Sequence, residues 1–308
     1  MIDFPLVINA DKNCHDLQSV CDWISGEKSE LEVQLTNSGA VLLRGFPLKS
    51  AQDFDQCVQA FNLKNFTYSE SLSNAVRHNR TERVFTANEA PPDVEIYLHH
   101  EMAQTPLFPG ILLFFCEEVS DSGGATPLCQ SDILLDLLLV SDPDFIAELE
   151  EKGVRYTNVM PAAADLDSGQ GRSWQDTLGV STQEDAEARL TELDYSWRWQ
   201  EGLSLKVTTP VLPAIRSLED GRKVFFNQLI AAYRGWKNAR DGGKKAIQFG
   251  DKTVIEEATM ENVCSLAESI TFDQYWQLGD IVLVNNFLVM HGRRPFSGKR
   301  KVLASLAN

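Results

Sequence analysis

The sequence has few cysteines, no long apolar run and no export signal, and each of these shortages excludes a class of protein. Its 308 residues include six cysteines and no C-x-x-C pair. A chain of this length does not need disulfide staples, so we expect reduced thiols. The longest apolar stretches, such as residues 133–140, are interrupted by Asp136 and are too short to span a bilayer. Residues 1–5 lack the basic and apolar regions of a signal peptide, which predicts a cytoplasmic protein.

Basic residues are also scarce. The chain has 28 Lys and Arg against 44 Asp and Glu, which gives a formal net charge of −16 and a pI of about 4.7. Because binding to phosphates requires clustered Lys and Arg, this composition disfavours nucleic acids and anionic membranes as partners. No internal repeat, low-complexity segment or Pro/Ser-rich linker divides the chain. With 43% hydrophobic residues, we expect one well-buried domain that spans residues 1–308.

Short strand patterns and helix patterns alternate along the chain. Spacing of apolar residues predicts helices over residues 15–37, 51–62, 130–152 (with Asp132 as N-cap), 182–193 and 228–239. It predicts strands over residues 40–46, 94–100, 111–117, 203–216, 222–227, 280–290 and 299–307. Many short strands with helices outside them indicate a mainly β fold with helices (α+β), built on a double-stranded β-helix, or jelly roll. The polar, Gly-containing stretch 165–173 predicts a lid-like insertion at about residues 161–201.

Two histidines and one glutamate form a candidate metal site. On a strand, side chains at i and i+2 share a face, so His99 and Glu101 converge while His100 points the other way. His291 follows the apolar run 281–290, which predicts that it lies at the end of a buried strand. Two histidines and a carboxylate are the ligands of non-haem Fe(II) oxygenases. A lone His-x-Glu pair is, however, more often an ordinary surface or core feature.

Four segments in order give the pattern its context. They are residues 39–46 (GAVLLRGF), 91–102 with its PP and IYLHHEM, 114–127 with its FFC and GGATP, and 291–300 (HGRRPFSGKR). Together they resemble the TauD/TfdA-like family of Fe(II)/2-oxoglutarate-dependent dioxygenases, from about residue 39 to the end. The glutamate at 101, and Asn227-Gln228 after two phenylalanines, are most similar to a SyrP-like branch. That branch is linked to amino-acid hydroxylation in the biosynthesis of peptide natural products.

The resemblance implies a set of cofactors and contacts. His99, Glu101 and His291 would bind Fe(II), with 2-oxoglutarate as co-substrate and O2 as oxidant. Thr126 matches a position that hydrogen-bonds 2-oxoglutarate, and Arg300 matches the arginine that pairs with its distal carboxylate. A planar guanidinium suits this task because it binds a carboxylate through two hydrogen bonds. The register leaves the neighbouring Lys301 as an alternative.

Substrate contacts are less determined. Arg293 lies two residues after His291 and either binds a substrate carboxylate or forms a salt bridge at the barrel rim. Asn227 either contacts substrate or caps the helix that follows it. Glu101 occupies the position that related halogenases leave without a carboxylate, which favours hydroxylation or desaturation.

The leading hypothesis is a hydroxylase that acts on a free or carrier-bound amino acid and releases succinate and CO2. The alternatives are oxidation of another small carboxylated or sulfonated molecule, a jelly-roll enzyme that uses a different metal, and a non-catalytic metal-binding protein. The sequence leaves open whether the protein is a monomer or a homo-oligomer.

Overall fold

The computed structural model describes residues 4–68, 71–73, 75–87, 89–164, 171–236 and 246–308. Its helices are α1 (Leu17–Ser38), α2 (Ala51–Phe61), α3 (Ser131–Ser141), α4 (Pro143–Lys152), α5 (Trp174–Leu178), α6 (Gln183–Glu192), α7 (Leu229–Gly235) and α8 (Glu257–Ser269). Its strands are β1 (Leu6–Asn9), β2 (Ala40–Arg44), β3 (Phe85–Thr86), β4 (Ile96–His99), β5 (Ile111–Glu118), β6 (Ser122–Gly123), β7 (Thr126–Gln130), β8 (Val154–Met160), β9 (Ser196–Trp199), β10 (Leu205–Thr208), β11 (Arg216–Ser217), β12 (Lys223–Val224), β13 (Ile247–Phe249), β14 (Phe272–Gln274), β15 (Ile281–Asn285), β16 (Val289–Arg293), β17 (Phe296–Ser297) and β18 (Lys301–Ala307).

Two sheets pack face to face around one apolar core. The larger sheet has six strands in the order β1-β2-β15-β5-β18-β3, and the smaller has four in the order β14-β7-β16-β4. Leu112, Phe114 and Val302 of the larger sheet share a buried cluster with Leu128 and Val289 of the smaller one. This arrangement confirms the predicted jelly roll with an α+β composition. It matters for function because β4, β7 and β16 are neighbours in one sheet although they are distant in sequence.

The prediction of a single strand over residues 280–290 is wrong. Strand β15 ends at Asn285, and β16 begins at Val289 in the other sheet. The short turn between them is fixed by Asn285, whose side chain accepts a hydrogen bond from the backbone N–H of Phe287 at 3.0 Å. His291 therefore lies in the middle of β16 and not at the end of a long strand. Both strands are buried and apolar, so hydropathy alone did not reveal the turn.

Helices cover the outer faces of both sheets. Helix α1 begins at a capping box formed by Asp16 and Ser19 and ends at Gly39, whose φ of +82° suits glycine. With α2 it packs on the six-stranded sheet. On the four-stranded sheet, the predicted single helix 130–152 is two helices, because Asp142 and Pro143 end α3 and begin α4. Asp132 lies in the first turn of α3 and is not its N-cap.

The predicted insertion at about residues 161–201 is more ordered in its described part than a loop. Helices α5 and α6 share a buried cluster with β8 and β10, which contains Met160, Trp174, Leu190 and Val207. Thr182 caps α6, as predicted, by accepting a hydrogen bond from the N–H of Asp185. Most of the stretch 165–173 that the sequence marks as loop-like lies outside the described residues.

Several other boundaries differ from the predictions. The region 203–216 forms only the short strands β10 and β11, and 222–227 forms only β12. The helix predicted over 228–239 is α7, which ends at Gly235, and residues 237–239 lie outside the described part. Strand β8 and helix α8 were not predicted. No helix in the described part of the chain is long and apolar enough to cross a membrane.

Candidate active site

The structure brings His99, Glu101 and His291 together. One possible ligand atom from each residue lies within 4.8 Å of the other two, although His291 is far from His99 and Glu101 in sequence. Oε2 of Glu101 is 3.4 Å from Nε2 of His291 and 3.7 Å from Nε2 of His99. The two imidazole rings have centroids 4.4 Å apart. Three donors therefore converge on one point, as a metal ion requires.

Pairing between β4 and β16 sets this convergence. His99 and His291 are direct partners in the antiparallel ladder, and the register shifts between His291 and Arg293. Gly292 lies at this shift, where a Cβ atom would come within 2.3 Å of the carbonyl oxygen of Ile96. Only glycine allows the two strands to approach so closely. The glycine of the motif therefore has a packing role beside the ligand.

Glu101 reaches the site in a different way from the one predicted. It lies in the turn after β4, so strand alternation alone does not direct its side chain. Asn286 fixes the turn: its Oδ1 accepts from the N–H of Glu101 at 2.7 Å, and its Nδ2 donates to the Glu101 carbonyl at 3.0 Å. Asn286 itself is fully buried. The turn between β15 and β16 thus holds the Glu101 carboxylate in place.

His100 points away from the three donors, as predicted. Its ring is fully buried, its Nδ1 contacts the carbonyl of Asn286, and its Nε2 lies 2.5 Å from Oγ of Ser131. We assign the proton to Nδ1, so that Nε2 accepts from the serine hydroxyl. Burial lowers the pKa of His100 to about 3, which keeps the ring neutral. His100 is a structural residue of the β4 end.

The charges of the site favour an ionised Glu101 beside a neutral His291. Burial alone would raise the pKa of Glu101, but the guanidinium of Arg77 holds it well below its usual range. Burial, together with the nearby His99, lowers the pKa of His291 to about 4. A carboxylate and neutral imidazoles are the forms that bind metal ions.

The donor set fits Fe(II). Two imidazoles and one carboxylate on one side of a cavity leave the remaining coordination positions open. Nδ1 of His99 donates to the carbonyl of Tyr97 at 2.8 Å, which leaves the lone pair of Nε2 free to bind a metal ion. Such a hydrogen bond fixes both the tautomer and the orientation of the ring.

Thr126 and Arg300 lie on the wall of the same cavity. Nε of Arg300 donates to the carbonyl of Gly124 at 2.9 Å, and an Nη is 3.4 Å from Oγ1 of Thr126. Burial lowers the pKa of Arg300 to about 10, so it remains charged at neutral pH. Lys301 is exposed and pairs with Glu118 at 2.9 Å. Of the two alternatives that the sequence left open, the geometry therefore favours Arg300.

The two predicted substrate residues are both engaged with the backbone. Arg293 lines the cavity, but its Nη atoms donate to the carbonyls of Ala90, Pro91 and Val94 at 2.6–2.9 Å. It therefore anchors the segment before β4, and among the described residues it forms no rim salt bridge. Asn227 is 1% exposed and is not on the cavity wall. Its Oδ1 accepts from the N–H of Leu229, the first residue of α7, but the N-cap of that helix is Gln228 and not Asn227.

Arg77 is the site residue that the sequence did not reveal. It lies on the cavity wall, and its side chain is 6% exposed and 2.9 Å from Oε1 of Glu101. It comes from an irregular segment between α2 and β3 that carries no motif. In the sequence, Arg77 is distinguished only by the lack of an adjacent acidic residue. Such arginines are too common for this feature to predict a site residue.

The enclosed space beside these residues is small. The cavity measures about 40 Å³, and its wall includes Ile96, Phe114 and Val302 as well as the polar residues above. A co-substrate and a substrate together need more space than this.

Comparison with known proteins places this chain in a family. Residues 4–306 match the family described as taurine catabolism dioxygenase TauD, TfdA family. The chain belongs to the TauD/TfdA family. This dioxygenase is 39% identical over 284 residues to the clavaminate synthase-like protein At3g21360 of Arabidopsis thaliana, covering 92% of the chain and 86% of the relative. It is 27% identical over 288 residues to the dapdiamide synthesis protein DdaC of Enterobacter agglomerans, covering 88% and 83%.

Solved structures agree on the fold. Asparagine oxygenase, in complex with Fe(II), 3-hydroxyasparagine and succinate, superposes with a TM-score of 0.60 at 9% identity, covering 98% of this chain and 93% of that one. AAD-2, in complex with Mn(II) and N-oxalylglycine, superposes with a TM-score of 0.57 at 13% identity, covering 99% of this chain and 94% of that one. Family membership makes this protein an oxidoreductase that uses Fe(II), 2-oxoglutarate and O2. Its assignment to the SyrP-like branch stays a prediction.

Proposed function

We propose that His99, Glu101 and His291 bind the iron and that Thr126 and Arg300 bind 2-oxoglutarate. The observation that carries this proposal is the convergence of the three donors within 4.8 Å on a cavity that Arg300 also lines. When bound, the iron and its co-substrate supply the activation of dioxygen for oxidation of a C–H bond.

Each protein group then has a defined task. Arg300, held by Gly124, offers its remaining N–H groups to the distal carboxylate of 2-oxoglutarate. Burial strengthens this pairing because a low dielectric weakens screening. Phe114, whose ring centroid is 5.3 Å from that of His291, and Val302 supply apolar surface beside the site. They help to exclude water from it.

The substrate that we propose is an amino acid, free or attached to a carrier protein, which is hydroxylated with release of succinate and CO2. Support comes from the relatives: one acts in dapdiamide synthesis, and one fold neighbour was solved with hydroxylated asparagine. Another small carboxylated or sulfonated molecule is the alternative. We further propose that residues 1–308 form one domain and that the protein acts in the cytoplasm.

A screen for succinate release tests the proposed reaction. Purified protein with Fe(II), 2-oxoglutarate and O2 should release succinate in response to particular amino acids or aminoacyl carriers. Anaerobic protein with Fe(II) should develop a metal-to-ligand charge-transfer absorption band when 2-oxoglutarate is added. Absence of the band in folded wild-type protein would refute the assignment of the site.

A matched pair of variants tests the 2-oxoglutarate anchor. Arg300→Met should weaken 2-oxoglutarate binding roughly 30-fold or more, since truncation leaves a buried carboxylate unpaired. Lys301→Met should keep the affinity for 2-oxoglutarate within about twofold of wild type, because Lys301 is exposed and pairs with Glu118. Titration of the charge-transfer band measures both. The reverse order of effects would show that Lys301 is the anchor.

A further inference from the structure

The two oxygen atoms of Glu101 have different partners. Oε1 accepts a hydrogen bond from Arg77 at 2.9 Å, whereas Oε2 faces the histidines at 3.4 and 3.7 Å. Both side chains of the ion pair are almost completely buried, with exposures of 6% and 4%. A charge-assisted hydrogen bond in such surroundings restricts the rotation of a carboxylate.

Arg77 is itself held firmly. Its guanidinium carbon lies 5.0 Å from the ring centroid of Tyr68 and 5.3 Å from that of Phe85. Contacts of this kind stabilise a buried cation and define its plane. The hydroxyl of Tyr68 donates to the carbonyl of Ala75 at 2.7 Å and fixes the segment that carries Arg77.

The insertion reaches the same place. Arg172, which precedes α5, donates to the carbonyl of Ser73 at 3.0 Å, and its guanidinium carbon lies 5.1 Å from the Tyr68 ring centroid. Two guanidiniums therefore pack on one ring: one from the insertion and one that contacts the metal-site carboxylate. The chain of contacts runs Arg172, Tyr68, Arg77, Glu101.

We propose that Arg77 is a positioning residue for the metal site. By occupying Oε1, it presents Oε2 alone to the point where the two histidines converge, so that Glu101 binds through one oxygen and the other coordination positions stay open. The inference rests on the proposed ligand role of His99, Glu101 and His291. Arg172 of the insertion packs on the same Tyr68 ring as Arg77, so the position of Arg77 depends on the position of the insertion.

Metal affinity tests the role of Arg77 without depending on turnover. Mn(II) is the probe, and free Mn(II) is measured by electron paramagnetic resonance in a titration of the purified full-length protein. Arg77→Met should weaken Mn(II) binding about 10- to 100-fold, the usual effect of removing a partner of a ligand. The control is Arg80→Met on the same segment. Arg80 forms an ion pair with Glu117 at 3.2 Å, and neither residue lies on the cavity wall. This variant should change Mn(II) affinity less than twofold.

A second readout separates positioning from simple support of the fold. Once Glu101 is free to rotate, the charge-transfer band of the Fe(II)–2-oxoglutarate complex should shift in Arg77→Met and stay in place in Arg80→Met. If Arg77→Met does not fold, Arg77→Lys carries the test: it keeps the charge but not the planar fork. We expect its Mn(II) affinity to fall at least threefold.

The outcomes distinguish this inference from the function on which it rests. Wild-type protein that binds no Mn(II) would overturn the proposed metal site itself. Wild-type binding together with unchanged affinity and an unshifted band in a folded Arg77 variant would overturn only the positioning role. Tighter binding in Arg77→Met would also overturn it, since the dominant effect of Arg77 would then be repulsion of the cation.

Discussion

Single residues in this protein differ in role even when they are adjacent. His99 turns its Nε2 towards Glu101, whereas His100 buries its ring against Ser131 and the carbonyl of Asn286. One is a proposed ligand and the other is part of the core. Their neighbouring positions make them a natural pair for comparison.

Replacement of each histidine by alanine should therefore give opposite results. We expect His99→Ala to lose Mn(II) binding but to keep its free energy of unfolding within about 1 kcal/mol of wild type, since its ring faces the cavity. We expect His100→Ala to lower the free energy of unfolding by roughly 2–4 kcal/mol, because the substitution leaves a cavity and buried polar groups without partners. Urea unfolding of metal-free protein and Mn(II) titration measure the two effects. Loss of Mn(II) binding in a fully stable His100→Ala would contradict the assignment.

At the scale of elements, the approach of β4 to β16 governs the geometry of the site. His99 and His291 face each other across this pair, and Gly292 permits the contact. The two strands are short, at four and five residues. A displacement of the backbone at Gly292 would therefore reach the histidine pair, because few other strand contacts oppose it.

Gly292→Ala should accordingly disturb both stability and metal binding. The added Cβ would lie 2.3 Å from the Ile96 carbonyl, so the strands must separate, at a cost of about 1–3 kcal/mol in unfolding free energy. Mn(II) affinity should fall in the same variant. Gly26→Ala is the control: Gly26 is in α1 with nothing within 4 Å of a new Cβ, and alanine there should stabilise by up to about 1 kcal/mol. Equal behaviour of the two variants would rule out the proposed close approach.

The candidate site was predictable at the level of residue types and motifs, and less so at the level of geometry. His99 and His291 belong to motif segments, and His100 points away from them, as strand alternation predicted. Strand alternation was an incomplete reason for choosing Glu101, because that residue lies beyond the strand in a turn held by Asn286. The split of residues 280–290 into two sheets was missed because both halves are equally apolar.

At the scale of the whole molecule, excess negative charge opposes folding. The net charge of −16 is what remains after every Lys and Arg, including Lys223 in its pair with Glu150, is counted against the acidic residues. Repulsion among the remaining carboxylates extends over about 30 Å at 0.01 M salt and about 10 Å at 0.1 M. Most of it should therefore be screened at physiological ionic strength.

Added salt should raise the melting temperature of this protein. We expect a rise between about 0.01 and 0.15 M NaCl at neutral pH, because screening relieves repulsion in the compact state more than in the unfolded chain. Differential scanning calorimetry of protein freed of metal by a chelator measures the effect. A fall in melting temperature would show instead that the surface ion pairs outweigh the net charge.

The sequence by itself determined the jelly-roll class and the family and indicated the candidate ligands and the candidate anchors at residues 300–301, because these depend on local hydropathy and on motifs. Only the tertiary structure separated Arg300 from Lys301, turned Arg293 and Asn227 towards backbone partners, and brought Arg77 to Glu101. The physical reason is that a side chain's partners depend on which segments the fold brings together. Arg77 meets Glu101 across irregular backbone that no periodic pattern records.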